Sequence, residues 1–141
     1  MIQIEKAAWD TMVSHAEATF PNECCGVMIG RTENGARHVA SAVALENAYK
    51  GAQEDRYELS PQDLLAADKR ARAEGLDVIG IFHSHPNCDA YFSKTDLENS
   101  CPWYSFVVLS IKHGKFDHAN SFLPNADQTA FEKEELIWQK S

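Results

Sequence analysis

Long apolar runs are missing from this chain. None approaches the roughly 20 residues that a membrane-spanning helix needs, and the opening Met1-Ile2-Gln3-Ile4-Glu5-Lys6 lacks a basic-then-apolar signal pattern. A cytoplasmic protein with no membrane partner is therefore expected. Positive charge is scarce too. Thirteen lysines and arginines stand against 21 aspartates and glutamates, a net charge of -8, and no basic run relieves the deficit. That balance argues against a nucleic-acid phosphate backbone as main partner; its ordinary meaning is solubility, although an acidic face also steers basic proteins or peptides. Cys24, Cys25, Cys88 and Cys101 are the four cysteines, and they have no metal-knuckle spacing. With a normal core and no export signal, a disulfide framework is not expected. Repeats, low-complexity tracts and linkers are absent.

At 141 residues, with 44% hydrophobic and 24% charged side chains, the composition excludes disorder and suits one domain over 1–141. A chain of that size buries roughly 68–70% of its unfolded surface. Lys6 to Phe20 carries Ala7, Ala8, Met12, Val13, Ala16 and Phe20 at near-helical spacing, ended by Pro21. Val27 to Gly30 and Arg37 to Leu45 read as strands around the hairpin signal Asn34-Gly35. Ser60-Pro61-Gln62-Asp63 opens a helix that runs to about Glu74, with Gly75 beyond its end. Ser105 to Ser110 and Asp117 to Leu123 pair around His113-Gly114-Lys115, and Gln128 to Gln139 reads as an acidic terminal helix. Together these predict a mixed α+β layout around one sheet flanked by helices.

One constellation carries chemistry. Val78 to Phe82 is a short, β-branched apolar run that delivers His83 and His85, and residues two apart on a strand point the same way. Pro86 stops the strand. Ser93-Lys94-Thr95-Asp96 reads as a helix start, with Ser93 as N-cap and Asp96 in the first turn beside the loop after His85. Two imidazoles and a carboxylate are three protein ligands, the count of a catalytic zinc site that keeps its fourth position for water. Alone, Ser-x-x-Asp is plain capping, His-x-His in a strand is nothing, and Glu23 is a surface acid. Their conjunction in one short loop is what points to a metal.

The full pattern, Glu23 within Pro21-Asn22-Glu23-Cys24-Cys25-Gly26, then His83-Ser84-His85-Pro86, then Ser93-Lys94-Thr95-Asp96, resembles the JAMM (MPN-plus) metalloproteases. Pro102-Trp103-Tyr104-Ser105 and the apolar run Phe106 to Leu109 are similar to the small stand-alone prokaryotic branch. The resemblance implies the MPN (cytidine deaminase-like) fold, one Zn2+ per chain held by His83, His85 and Asp96, Glu23 as general base and acid, and Ser93 as hydrogen-bond donor to the oxyanion. It also implies a metallopeptidase that cuts a peptide or isopeptide bond after the Gly-Gly tail of a ubiquitin-like sulfur-carrier protein or its conjugate. Such a tail suits a tight groove, because glycine adds no side chain. A homodimer is left open.

Two other readings stand beside this one. An MPN-fold binding module, latent or non-catalytic, would act through a protein partner, but it needs neither an open metal site nor a base. A zinc nucleobase deaminase would need His-x-Glu and Pro-Cys-x-x-Cys, which His83-Ser84-His85 and the separated Cys88 and Cys101 do not supply. Cys88, between the ligands, is read first as an ordinary loop side chain, with contact to the metal as the sharper alternative. Trp103 and Tyr104 are read as core or rim packing, and Ala48 to Arg56 as a surface loop bordering the cleft.

Overall fold

The computed structural model describes residues 1–139. In chain order the elements are β1 (Ile2–Ile4), α1 (Lys6–Thr19), β2 (Cys25–Glu33), β3 (Ala36–Leu45), α2 (Pro61–Ala73), β4 (Asp77–Pro86), α3 (Lys94–Glu98), β5 (Ser105–Lys112), β6 (Lys115–Pro124), β7 (Phe131–Glu134) and β8 (Leu136–Trp138). Local chemistry accounts for most boundaries. Asn34 and Gly35 both take positive φ at the β2–β3 turn, as a two-residue hairpin requires. Ser60 caps α2 through the Asp63 N–H, with Pro61 opening the helix and Gly75 at φ 73° beyond it.

Among the described residues, the strands form one mixed sheet in the order β7-β6-β5-β4-β2-β3-β1-β8. β4 runs parallel to β5 and antiparallel to β2. Side chains alternate across this sheet, which creates two cores. On one face Met28, Phe82, Val107 and Leu109 pack with Ala8, Trp9, Met12 and Ala16 of α1. On the other, Val27, Ile81, Phe106 and Val108 pack with Ala67 and Ala71 of α2 and with Phe92 and Leu97 around α3. Gly26 lies where a Cβ would run into the Phe82 ring and the Val43 carbonyl, so β2 and β4 meet closely just before the histidines. No helix among the described residues is long and apolar enough to cross a membrane.

The predicted terminal helix over Gln128 to Gln139 is not formed. That segment instead makes a turn, in which Asn125 Oδ1 accepts from the Thr129 and Ala130 N–H groups, followed by β7 and β8. β7 joins the β6 edge antiparallel and β8 joins the β1 edge parallel, so the outermost strands of the sheet are separated in sequence only by Glu135. The reason is tertiary: two sheet edges present unpaired N–H and C=O groups, and an extended segment satisfies both. Trp138 also stacks on Trp9 with centroids 4.4 Å apart, and buried Glu134 accepts from Ser105 Oγ at 2.7 Å and Ser121 Oγ at 2.9 Å. The three-residue β1 had no signal long enough to be read from sequence.

Two outcomes are expected. Glu134→Ala leaves the Ser105 and Ser121 hydroxyls without their buried acceptor, a cost of about 1–3 kcal/mol readable in urea denaturation. Burial pushes the Cys24 and Cys25 thiols up to about 12, whereas Cys88 is exposed. Alkylation near pH 8 followed by peptide mass analysis should therefore mark Cys88 and spare Cys24 and Cys25. Because these two folded-state values are raised, their stabilising contribution is complete below the unfolded thiol range and declines as pH rises toward 12.

Candidate metal centre

β4 carries its last inward side chains to the sheet interior and then stops. Phe82 belongs to the α1 face, so His83 and His85 emerge on the opposite face with Ile81, where α3 covers them. Both rings are buried, at 0% and 5% exposure. Ser93 caps α3: its Oγ accepts from Asp96 N–H at 3.0 Å, while Asp96 Oδ2 accepts from Ser93 N–H at 3.1 Å. This reciprocal capping box fixes the Asp96 carboxylate at a helix of only five residues.

The three expected ligand atoms converge. His83 Nε2 and His85 Nε2 are 3.2 Å apart, and Asp96 Oδ2 lies 3.2 Å from the first and 3.1 Å from the second. Donors bound tetrahedrally at roughly 2.0–2.1 Å from one zinc ion stand about 3.3 Å from each other. The triangle is thus already of ligand size. His85 Nδ1 faces the Asp89 carbonyl at 3.0 Å, and because a carbonyl only accepts, Nδ1 donates in that contact and Nε2 is the atom turned toward the triangle. Burial lowers the pKa of His83, against the opposing pull of the Asp96 carboxylate. Burial alone would raise Asp96, but its contacts with His83 and His85 hold its carboxyl well below the usual carboxylate range.

Glu23 completes the cluster. It is 3% exposed, and its Oε1 has no hydrogen-bond partner. Burial, then the neighbouring Asp96 and Asp55 carboxylates, push its pKa up to about 9. A divalent cation at the triangle would offset the repulsion among these carboxylates, and neutral imidazole nitrogen with carboxylate oxygen is a donor set that suits zinc. The residues present therefore fit the metal. Glu23, Ser93 and His85 line one cavity of about 200 Å³ together with Glu54, Asp55 and Tyr91. Exposed Cys88 borders the same cavity.

Sequence reading missed three supporting residues. Ser84, between the two histidines, points to the opposite face, where its Oγ accepts from Cys24 N–H at 2.8 Å and its N–H donates to the Cys24 carbonyl at 3.3 Å. That exchange ties the Glu23 segment to the ligand strand, and strand alternation was the available signal for it. Tyr57 stacks on His83 with centroids 4.5 Å apart at 24°, covering a ring whose Nδ1 has no partner. Its ring also walls a second cleft of about 350 Å³ containing Tyr49, Leu64, Ile81, Tyr104 and Phe106. Asn47 holds the Glu23 carbonyl at 3.1 Å. Nothing in the local sequence marks Tyr57 or Asn47.

The chain matches the family described as prokaryotic homologs of the JAB domain over residues 5–122. It is 36% identical over 110 residues to a desampylase of Haloferax volcanii, covering 73% of this chain and 76% of that protein. It is 31% identical over 114 residues to the Lys-63-specific deubiquitinase BRCC36 of Xenopus tropicalis, covering 76% of this chain but only 43% of the relative. A solution structure from Desulfitobacterium hafniense superposes with a TM-score of 0.86 at 30% identity, over 100% of this chain and 94% of that one. A crystal structure of a JAB1/MPN domain protein from Archaeoglobus fulgidus has a TM-score of 0.59 at 14% identity, over 98% of this chain and 99% of that one, and shares the fold. Since the matched span of residues 5–122 takes in Glu23, both histidines and Asp96, the chain belongs to the prokaryotic branch of the JAB/MPN (JAMM) family.

Proposed function

We propose that this protein is a zinc-dependent isopeptidase that hydrolyses the bond following the Gly-Gly tail of a ubiquitin-like modifier or sulfur-carrier protein. The observation that carries the reading is the ligand-sized triangle of His83, His85 and Asp96 beside a buried, unpartnered Glu23 carboxylate. The desampylase relative supports a modifier conjugate as substrate. His83 Nε2, His85 Nε2 and Asp96 Oδ2 would hold the ion, which when bound supplies a Lewis acid for the carbonyl and lowers the pKa of water.

The remaining work falls to the chain's own groups. Glu23 takes a proton from the attacking water and passes it to the leaving nitrogen, and burial suits it to both steps by raising its proton affinity. With an ion held by His83, His85 and Asp96, that affinity would be lowered again, which would let Glu23 accept the proton in the first step. Ser93 is both the N-cap of α3 and the residue read as oxyanion donor. A hydroxyl has one donor and two acceptor sites, and the cap uses an acceptor site for the Asp96 N–H, which leaves the O–H free to stabilise the oxyanion. The 200 Å³ cavity shared by Glu23, Ser93 and His85 is where the scissile bond would lie.

The test is intact-mass analysis of Gly-Gly-tailed carriers of the host, joined to lysine or extended at the C-terminus, after incubation with zinc-loaded protein. Wild type should release a carrier ending at its second glycine, and Glu23→Gln should bind zinc without releasing it. Absence of cleavage of every carrier with zinc bound would overturn the assignment in favour of a binding module. Asp96→Ala should lose zinc in metal analysis, since it removes one ligand. Ser93→Ala should retain zinc while slowing turnover about 10²–10³-fold. A loss confined to about 1 kcal/mol of stability would make Ser93 a cap alone.

A further inference from the structure

The side chain of Glu23 is buried, yet no group satisfies its Oε1. That oxygen is therefore not aimed by a side-chain contact, and its position follows from the backbone that carries it. Both polar groups of that backbone are held by the loop joining β3 to α2. The Glu23 N–H donates to the Gln53 carbonyl at 2.7 Å, and the Glu23 carbonyl accepts from Asn47 Nδ2 at 3.1 Å.

Asn47 also organises the loop itself. Its Nδ2 donates a second time, to the Arg56 carbonyl at 3.0 Å, and its Oδ1 accepts from Tyr49 N–H at 3.0 Å and Glu58 N–H at 3.1 Å. All four hydrogen-bonding sites of one amide side chain are thereby occupied. The Ala48 N–H donates to the Glu58 carbonyl at 2.9 Å, and Gln53 Nε2 laces back to the Asn47 and Tyr49 carbonyls at 2.9 Å each. The segment from residue 47 to residue 58 is thus drawn into a closed loop with Asn47 at its neck.

We propose that Asn47 is a positioning residue that sets Glu23 against the ligand triangle by making this loop and the Glu23 backbone one hydrogen-bonded body. The inference rests on the reading of Glu23 as proton carrier. The loop places further groups from the same body: Tyr57 against the His83 ring, and Glu54 and Asp55 on the wall of the site cavity. A substrate that displaces the loop therefore moves Glu23 with it. Asn47 hydrogen-bonds none of His83, His85 and Asp96, so its removal separates base placement from metal holding.

The variant Asn47→Asp keeps the shape and the acceptor oxygen but replaces both donations by repulsion against the Glu23 and Arg56 carbonyls. In the full-length zinc-loaded protein, zinc per chain should stay at the wild-type value. Misplacing a reacting group by about 1 Å costs about 10²-fold, so kcat on a modifier conjugate should fall by about that factor with KM changed less than about threefold. Amide hydrogen exchange supplies a readout independent of turnover. In wild type, the Glu23, Ala48 and Glu58 amides should exchange at a common rate; in the variant all three should quicken while the β4 amides do not.

An unchanged kcat per bound zinc would overturn the proposal, as would zinc lost in step with activity. Independent exchange of Glu23 and the loop in wild type would overturn it too, and that measurement decides even if the variant fails to fold. If wild type cleaves no conjugate, the isopeptidase reading fails, and the exchange experiment still decides whether Asn47 couples the loop to Glu23.

Discussion

Burying ionisable groups at close range is the constraint around which this molecule is arranged. Glu23, His83, His85 and Asp96 are each less than a tenth exposed. Desolvated charge of that density is strongly unfavourable unless it is paired, hydrogen-bonded or matched by an ion. The protein meets part of this demand with a His83 ring whose pKa burial lowers, with the Ser93 N–H on Asp96, and with the Asp89 carbonyl on His85. Besides His83 Nδ1 under the Tyr57 ring, what it leaves unmet is on Glu23 Oε1 and in the repulsion of Glu23 by Asp96 and Asp55. The unmet part is the part a divalent cation and a substrate would use.

The sheet makes such a cluster mechanically tolerable. β4 is paired on both sides, antiparallel to β2 and parallel to β5, so its backbone groups are satisfied while its side chains alternate between two cores. Ile81 and Phe82 are anchored in opposite cores directly before the histidines. A slip of one residue would bury Ser84 where His83 belongs and expose Phe82 to the other layer, so hydrophobic register also fixes where the two imidazoles stand. Ser84 uses the Phe82 face of the same strand to bind Cys24, which ties the Glu23 segment to the histidine strand.

Charge distribution around the centre follows a similar logic. The cavity wall carries Glu23, Glu54 and Asp55 without a lysine or arginine, in keeping with an acidic chain whose metal would be the dominant local positive charge. The cleft walled by Tyr57 is mixed instead: Leu64, Ile81, Tyr104 and Phe106 line it together with Arg56 and Glu58, one charge of each sign. Tyr57 is the partition between these two environments, because its ring meets His83 as well as lining the cleft.

Much of this was legible in the sequence, for a physical reason. His83, His85, Asp96 and the Ser93 cap lie within 14 consecutive residues, so strand alternation and helix capping, both local rules, bring them together. The helices over Lys6–Thr19 and Pro61–Ala73 and the Asn34-Gly35 hairpin were likewise specified by periodicity and turn chemistry. Position Glu23 was found only through the composite family motif, because 60 residues separate it from His83 and no local rule spans that distance. The tertiary structure alone decided the rest. It converted an acidic, helix-like terminus into β7 and β8, since two open sheet edges outweigh a weak local preference. It likewise set Asn47 and Tyr57 around the candidate metal centre, since contacts between segments distant in sequence depend on how the sheet folds and leave no mark in the spacing of residues along the chain.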